Sequence, residues 1–245
     1  MTLAAFVAVA AGNSALTADA TDRIARTLPL GARSVRVEAT IGDLTIVGSN
    51  RSDVAIEVTR RAPSPADLDT FPALIEETPD ALRVAVTQAS DGRDARLRSD
   101  IVVRAPASAR FQAVRLFEGR VRVSGLTGAC DVDVRRGPIE ASALAGRIRL
   151  ESGIGSVDVR DSQLTPGGMM RLRVFNGPLR VRFARRPSDA RILAVTFNGT
   201  ITSDIPLTMK DKFGPRFGET TLGTGDPVMS LDVVKGDISI SVAQR

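Results

Sequence analysis

The side chains that most often carry catalysis are scarce in this sequence of 245 residues. It contains no histidine, so neither a Ser-His-Asp triad nor a histidine-based metal site can form. The candidates that remain are four aspartates, Asp131, Asp133, Asp158 and Asp161. β-Helical polysaccharide lyases and hydrolases use Asp, Arg and Lys on the outside of a sheet, so a polysaccharide-processing enzyme is one alternative.

The pattern around these aspartates favours a structural role instead. They alternate with apolar residues or lie at turns, where charged side chains are usually solvated. Sugar-binding grooves usually contain Trp or Tyr, and the sequence has neither. We therefore assign no catalytic, metal-binding or cofactor-binding residue and predict that the protein is not an enzyme. The single cysteine, Cys130, cannot form an internal disulfide, and we expect it to be a small core side chain.

A glycine repeat between Phe117 and Val159 sets the elements that hold these side chains. The glycines recur every nine residues, at Gly119, Gly128, Gly137, Gly146 and Gly155. Apolar residues follow each glycine by two positions (Val121, Cys130, Ile139, Ile148, Val157) and by four positions (Val123, Val132, Ala141, Leu150, Val159). Each unit therefore predicts a turn followed by a short strand with one buried face.

The repeat continues towards the C-terminus with a longer stride. Gly155, Gly177 and Gly199 are 22 residues apart, and the last two end identical Phe-Asn-Gly tripeptides. Every second glycine then marks one coil of 18–22 residues that carries two strands, and Gly236 opens a closing coil. A fixed period is typical of stacked repeats. The sequence predicts an all-β fold, a single-chain, β-helix-like β-solenoid of two-strand coils.

The chain divides into three regions. Residues 1–20 are predicted to be a signal peptide, because the apolar run Leu3 to Ala11 is followed by an A-x-A-like site at Ala18-Asp19-Ala20. Residues 21–110 are predicted to be the N-terminal strand and hairpin part of the solenoid domain. Residues 111–245 are predicted to be the repeat body and C-terminal coil. No other apolar run is long enough to span a bilayer, so we predict no transmembrane segment.

Several local features can be predicted outside the regular repeat. Residues 61–73 predict a loop with a short helical turn, 74–86 a hairpin and 91–98 a charged turn. Residues 208–225 are rich in glycine and are predicted to be irregular. The last strand is predicted to be an exposed edge unless it is capped, and Lys235, Asp237 and Arg245 would be suitable blunting charges.

The basic residues are almost all arginine. The formal net charge is +5, and 30 of the 33 basic residues are Arg. A GC-rich genome explains this bias, and an anion-binding surface is the alternative. The candidate anion-binding patch comprises Arg147, Arg149, Arg171 and Arg173. We expect Asp131 and Asp133 to lie one strand from Arg147 and Arg149 and to form ion pairs with them.

A pI near 10.4 would suit a nucleic-acid-binding protein. Base stacking needs exposed aromatic side chains, however, and the only aromatic residues are nine phenylalanines. Several of these occupy repeat positions that we predict to be buried. Together with the predicted export, this argues against a nucleic-acid partner.

Two parts of the sequence resemble a known group of proteins. The run Asp100 to Pro106, followed by Gly119-Arg-Val-Arg-Val and the repeated glycine units, resembles the bacterial putative-adhesin family of unknown function with β-strand repeats. Residues 222–225 and 236–240 resemble that family's C-terminal coil. The resemblance covers about residues 33–245, with a departure at 206–226. Its motifs are structural, so it implies a fold and transfers no catalytic or binding residue.

Two non-enzymatic classes remain. One is an exported cell-surface or periplasmic binding module, a monomer or small oligomer whose partner would be a protein or an envelope polymer. The other is a self-assembling scaffold that grows by end-to-end stacking. The predicted signal peptide and the charged final coil favour the binding module.

Overall fold

The chain folds into two β-sheets that share one apolar core. The computed structural model describes residues 20–88, 97–163, 165–210 and 214–243. In chain order the elements are β1 (Ala20–Pro29), β2 (Ser34–Ile41), β3 (Leu44–Ser49), β4 (Asp53–Ala62), α1 (Pro65–Thr70), β5 (Leu74–Glu77), β6 (Ala81–Val86), β7 (Arg98–Pro106), β8 (Phe111–Glu118), β9 (Val121–Ser124), β10 (Cys130–Arg136), β11 (Ile139–Ser142), β12 (Arg147–Ile154), β13 (Val157–Arg160), β14 (Met169–Asn176), β15 (Leu179–Phe183), β16 (Ala190–Asn198), β17 (Ile201–Ser203), β18 (Thr208–Lys210), β19 (Arg216–Leu222), β20 (Val228–Lys235) and β21 (Ile238–Val242).

Both sheets are large and mixed. The first has ten strands in the order β1-β4-β7-β3-β9-β11-β13-β15-β21-β17. The second has eleven strands in the order β18-β19-β16-β20-β14-β12-β10-β8-β2-β6-β5. Pairing is parallel through the middle of each sheet, and the antiparallel pairs lie towards the ends. The all-β prediction is confirmed.

Successive strands from β8 to β15 alternate between the two sheets, as a glycine-and-strand repeat requires. Within the first sheet Ile139 lies opposite both Val121 and Val157, and Val157 lies opposite Leu179. These offsets of 18 and 22 residues confirm the two strides of the sequence repeat. The inward side chains of these strands are fully buried, whereas the residues between them point outwards.

The repeat glycines occupy corners that no other residue fits. Gly137 has a φ of 140°, and a Cβ there would lie 1.8 Å from the carbonyl oxygen of Gly119. The same close approach links the glycines of one column, which in spatial order are Gly42, Gly119, Gly137, Gly155, Gly177, Gly236 and Gly199. Gly128 and Gly146 lie shortly before β10 and β12, at the other corner. In the glycine column only two residues separate one strand from the next, as between β8 and β9. Glycine allows so tight a corner because it has no side chain.

Cys130 is a core side chain, as the sequence predicts. It is buried at the start of β10, and burial raises the pKa of its thiol to about 12. A thiol with so high a pKa carries almost no reactive thiolate at neutral pH.

The closing strands lie inside the sheets, which contradicts the predicted exposed edge. β20 lies between β14 and β16, and β21 lies between β15 and β17. Gly199 therefore contacts Gly236 rather than Gly177. The physical reason is pairing: an interior position gives each closing strand two hydrogen-bonded ladders, whereas an edge gives one. The charges of Lys235 and Asp237 consequently flank a corner, and Arg245 lies outside the described residues.

The N-terminal end carries the predicted hairpin and helical turn. β5 and β6 pair antiparallel, and α1 begins after Ser64, whose hydroxyl accepts a hydrogen bond from the backbone N–H of Asp67. The Arg60 guanidinium is buried under α1, where it pairs with Asp22 and donates to the carbonyl oxygen of Leu68 at 2.9 Å. The predicted signal peptide, apart from Ala20, and most of the charged turn at 91–98 lie outside the described residues.

Residues 208–225 are more regular than predicted. β18 and β19 form an antiparallel pair, and β19 also pairs antiparallel with β16. Glycine content misled the prediction, because Gly218 is a buried strand residue packed against Met209 and Leu207. This pair occupies one end of the second sheet.

Candidate ligand groove

The structure separates the four aspartates that the sequence singles out. Asp131 and Asp133 lie on β10 in the second sheet, whereas Asp158 lies on β13 in the first and Asp161 lies in the turn after it. Asp131 and Asp158 are each ion-paired at 3.5 Å to an arginine on the neighbouring strand. The described ranges contain no group of three His, Cys, Asp or Glu side chains able to hold a metal ion.

The expected ion pairs between β10 and β12 form only in part. Asp131 lies opposite Arg149 and pairs with it, as predicted. Asp133 lies opposite Glu151 on β12 and opposite Arg115 on β8, and Arg147 pairs in register with Met169. Neither Asp133 nor Arg147 therefore forms the predicted ion pair between β10 and β12. The register places Cys130 opposite Ile148, which shifts Arg147 beyond the end of β10.

The four arginines of the candidate anion-binding patch lie on two neighbouring strands: Arg147 and Arg149 on β12, and Arg171 and Arg173 on β14. Arg149 lies directly opposite Arg171, and Arg173 lies opposite Glu151. Carboxylates interrupt the patch: Arg149 is 3.1 Å from Glu151, and Arg171 is 4.0 Å from Asp232. Anion binding here stays a prediction.

A groove that the sequence did not predict lies on the outer face of the second sheet. It has a volume of about 690 Å³ and crosses β10, β12, β14, β20 and β16 near their C-terminal ends. No Cβ stands at Gly153 in its floor, where a side chain would lie 2.6 Å from the carbonyl oxygen of Arg135. The groove is therefore open because the sheet backbone itself is exposed at this point.

Two phenylalanines form the apolar side of the groove. Phe175 is 62% exposed and Phe197 is 60% exposed, although we predicted that phenylalanines at repeat positions would be buried. The residues just before them, Val174 and Thr196, face inwards and are fully buried. Because side chains alternate along a strand, each Phe must then point outwards. Val234 on the strand between them is half-buried and continues the apolar surface.

The repeated Phe-Asn-Gly tripeptide was the signal that could have revealed this surface. A glycine at a tight corner fixes which way the preceding residues point. A Phe two residues before each corner glycine therefore projects from the same face in both copies. The sequence repeat located the corner. Whether the Phe faces the core or the solvent depends on which residue of the strand is the first to face the core, and the repeat did not determine that residue.

Charged side chains form the other side of the groove. Asp133, Glu151 and Asp232 contribute carboxylates, and Arg135, Arg136 and Arg173 contribute guanidinium groups. Asp133 lies beside Glu151 in register. Partial burial, followed by the like charge of Glu151, raises the pKa of Asp133. A carboxylate that is partly desolvated and has no ion-pair partner among the described residues retains its full capacity to accept hydrogen bonds.

Comparison with known proteins finds similarity in fold alone. No protein-family model matches the chain, and no curated protein sequence matches it. A solved structure, a putative cell adhesion protein from Clostridium sporogenes ATCC 15579, aligns over 91% of this chain and 100% of that chain, with a TM-score of 0.51 and 10% sequence identity. A putative adhesin from Bacteroides fragilis NCTC 9343 aligns over 91% and 97% of the two chains, at 11% identity and a TM-score of 0.36.

The Clostridium sporogenes structure confirms the resemblance to putative adhesins at the level of the fold. At 10% identity it transfers no binding residue to this chain. In the part of the chain that the structure describes, no helix is long and apolar enough to cross a membrane.

Proposed function

We propose that this protein is an exported, non-catalytic β-solenoid that acts as an adhesin-like interaction module at the cell surface or in the periplasm. The observation that carries the proposal is the exposed pair Phe175 and Phe197 in a groove on the outer face of the second sheet. A contiguous exposed apolar surface, here Phe175 and Phe197 with Val234 between them, usually marks an interaction site. The fold, similar to that of a putative cell adhesion protein, agrees with this role.

The solenoid architecture is supported by the alternation of strands between the two sheets. Each passage through β10 and β11, or through β12 and β13, would be one coil, and the column of corner glycines would mark its repeat. The apolar start of the sequence and the Ala18-Asp19-Ala20 site support export.

Binding is favoured over catalysis because two of the four aspartates serve the sheets. Asp131 and Asp158 are ion-paired to strand neighbours and belong to different sheets. A glycoside-cleaving pair flanks the scissile bond with two carboxyl groups, whereas Asp133 and Glu151, the neighbouring carboxylates of the groove, lie side by side on one face of the sheet.

A self-assembling scaffold is the alternative. It would need the edge strands of one molecule to pair with those of the next, so the lengths of the edge strands test it. Three of the four edge strands of the described sheets, β5, β17 and β18, have only three or four residues each. The fourth, β1, has ten residues but carries the charges of Asp22, Arg23 and Arg26, which blunt an edge. Short edges discourage strand pairing between molecules. We therefore expect a monomer or small oligomer on gel filtration across a wide concentration range. Filaments would instead favour the scaffold.

A pull-down tests the proposed function. The purified protein would be mixed with peptidoglycan, outer-membrane vesicles, anionic liposomes and soluble polysaccharides at low and high salt. Retention on one envelope fraction that survives high salt is expected, because apolar contacts are not screened. The double variant Phe175→Ala/Phe197→Ala should lose this retention. Leu74→Ala, a change at another exposed apolar residue of the same sheet, should keep it.

Salt-labile retention on every anionic fraction, equal in the double variant and the control, would reduce the interaction to the charge of the arginines. No retention on any fraction would contradict the proposed envelope role.

A further inference from the structure

The aromatic side of the groove has a defined spacing. Phe175 lies on β14 and Phe197 on β16, and β20 lies between these strands. Their backbones are therefore separated by about 9.6 Å, which is two inter-strand spacings. Val234 on β20 occupies the intermediate level, since Val174 and Thr196 both pair with Val233. The two rings are thus two platforms on one line that runs across the strands.

A row of charged side chains runs parallel to this aromatic line. Asp232, Arg173, Glu151 and Asp133 lie in register on four neighbouring strands, each two residues before the aromatic line. Two residues along a strand correspond to about 6.6 Å. A long, thin ligand lying across the strands would contact the rings with one face and the charged row with one edge.

The charges of the whole groove are balanced, although the charged row itself carries three carboxylates and one guanidinium group. The groove contains three carboxylates and three guanidinium groups. Asp133, Arg135 and Arg173 form no ion pair within the described residues. An anionic polymer would meet the carboxylates, and a cationic one would meet the arginines. A neutral ligand with many hydroxyl groups can instead donate to the carboxylates and accept from the guanidinium groups.

We infer that the groove binds an extended, uncharged β-1,4-linked glycan that lies across the strands, with alternate sugar rings on Phe175 and Phe197. The inference rests on the proposed function and specifies its ligand. In such a chain every second pyranose ring presents the same face, so the glycan repeats after two rings. The two phenylalanines are likewise separated by two strand spacings, so each would meet a sugar ring that presents the same face. The C–H groups of a sugar face are attracted to the electron-rich face of an aromatic ring, and the exposed rings of Phe175 and Phe197 offer such a face although the sequence lacks Trp and Tyr. The equatorial hydroxyl groups then reach the charged row.

A membrane surface fits these observations less well. Phe175, Phe197 and Ile154 could enter the interface between headgroups and acyl chains. Asp133, Glu151 and Asp232 lie beside them, however, and their repulsion by anionic lipid would offset the attraction of the three groove arginines. A flat bilayer surface also could not contact the floor of a concave groove.

Calorimetric titration of the full-length protein tests the inference. The probes are the β-1,4-linked tetramers of glucose and of N-acetylglucosamine, and the α-1,4-linked glucose tetramer, whose chain bends, is the comparison. We expect one or both β-linked tetramers to bind in the micromolar to millimolar range and the α-linked tetramer to bind more weakly. Phe175→Ala/Phe197→Ala should weaken this binding by about tenfold or more, equivalent to about 1.4 kcal/mol. Leu74→Ala should leave it unchanged.

The outcomes separate this inference from the proposed function. If the protein is retained on an envelope fraction but neither β-linked tetramer binds, or if the double variant binds them as well as the wild type, the glycan inference is overturned and the proposed function stands. Retention only on liposomes, lost in the double variant, would identify a membrane surface and overturn the glycan inference too. Tetramer binding without envelope retention would support the glycan groove and contradict the envelope role.

Discussion

At the scale of single residues, burial alternates so strictly that neighbours have opposite roles. Val157 is fully buried between strands, whereas Asp158 faces outwards and is ion-paired to Arg180 at 3.5 Å. The same alternation makes Phe175 a surface residue beside the buried Val174. One residue of register therefore decides whether a side chain contributes to the core or to the binding surface.

Substitutions at Val157 and Asp158 test this register. Val157→Asp would bury a charge in the core and should lower the free energy of unfolding by at least about 3 kcal/mol. Asp158→Val removes only an ion pair between the half-buried Asp158 and the exposed Arg180, and should change the free energy of unfolding by less than about 1 kcal/mol. Urea unfolding of both variants measures the difference. Equal effects would show that the register is wrong.

The carboxylate of Asp133 links stability to the groove. Its pKa is raised in the folded state by partial burial and by Glu151, so its ionisation opposes folding. The free energy of unfolding is therefore highest, with respect to Asp133, at acid pH, where its carboxyl is protonated. This contribution is lost as the pH rises through the pKa of Asp133 in the folded state. Asp133→Asn should therefore raise the melting temperature at pH 7, and this advantage should disappear at a pH below the unfolded pKa. A constant advantage at every pH would exclude titration as its cause.

At the scale of elements, the corner glycines could be predicted well from sequence. The nine-residue glycine spacing located the strands from β9 to β13, and the 22-residue spacing from Gly155 located the corner at Gly177. Both predictions succeeded because a corner with positive φ accepts almost no residue other than glycine. The same spacing predicted which residues of these strands face the core, but the predicted ion-pair partners of Asp133 and Arg147 were wrong. The groove did not follow, because no spacing rule states which outward residues on neighbouring strands face a common ligand.

Alanine at a corner glycine should be far more costly than alanine at an isolated turn glycine. In Gly137→Ala the new Cβ would lie 1.8 Å from the Gly119 carbonyl oxygen, so we expect a loss of about 2 kcal/mol or more. Gly31 also has positive φ, but a Cβ there meets no atom within 4 Å, so Gly31→Ala should cost only about 1 kcal/mol. Thermal unfolding compares the two. A Gly137 variant as stable as the Gly31 variant would contradict the glycine column.

At the scale of the whole molecule, the order of the strands departs from the order of the chain. The sequence correctly indicated that β20 and β21 form one more glycine-corner unit, but it predicted them at an edge. Equivalent units offer nearly the same side-chain pattern to each other, so the pattern alone cannot choose between neighbouring positions. The hairpin of β18 and β19 pairs with β16 at one end of the second sheet, while the closing strands fill the interior position.

This interior position makes the C-terminal strands essential to the fold. Removal of residues 228–245 would leave β16 and β17 without the strands that join them to the rest of each sheet. We expect the truncated protein to lose the cooperative thermal transition of the full chain in calorimetry. A terminal unit would instead be dispensable, so a truncated protein with a sharp transition near that of the full chain would contradict the observed strand order.

Hydroxyl-radical footprinting tests most directly whether the Phe175 and Phe197 surface is the binding site. Exposed phenylalanines are oxidised, so both should be modified in the free protein and protected once it is bound to the envelope fraction that retains it. Leu74, exposed at the far end of the same sheet, should be oxidised equally in both states. Protection of Leu74 with continued oxidation of both phenylalanines would place the interaction elsewhere and contradict the account.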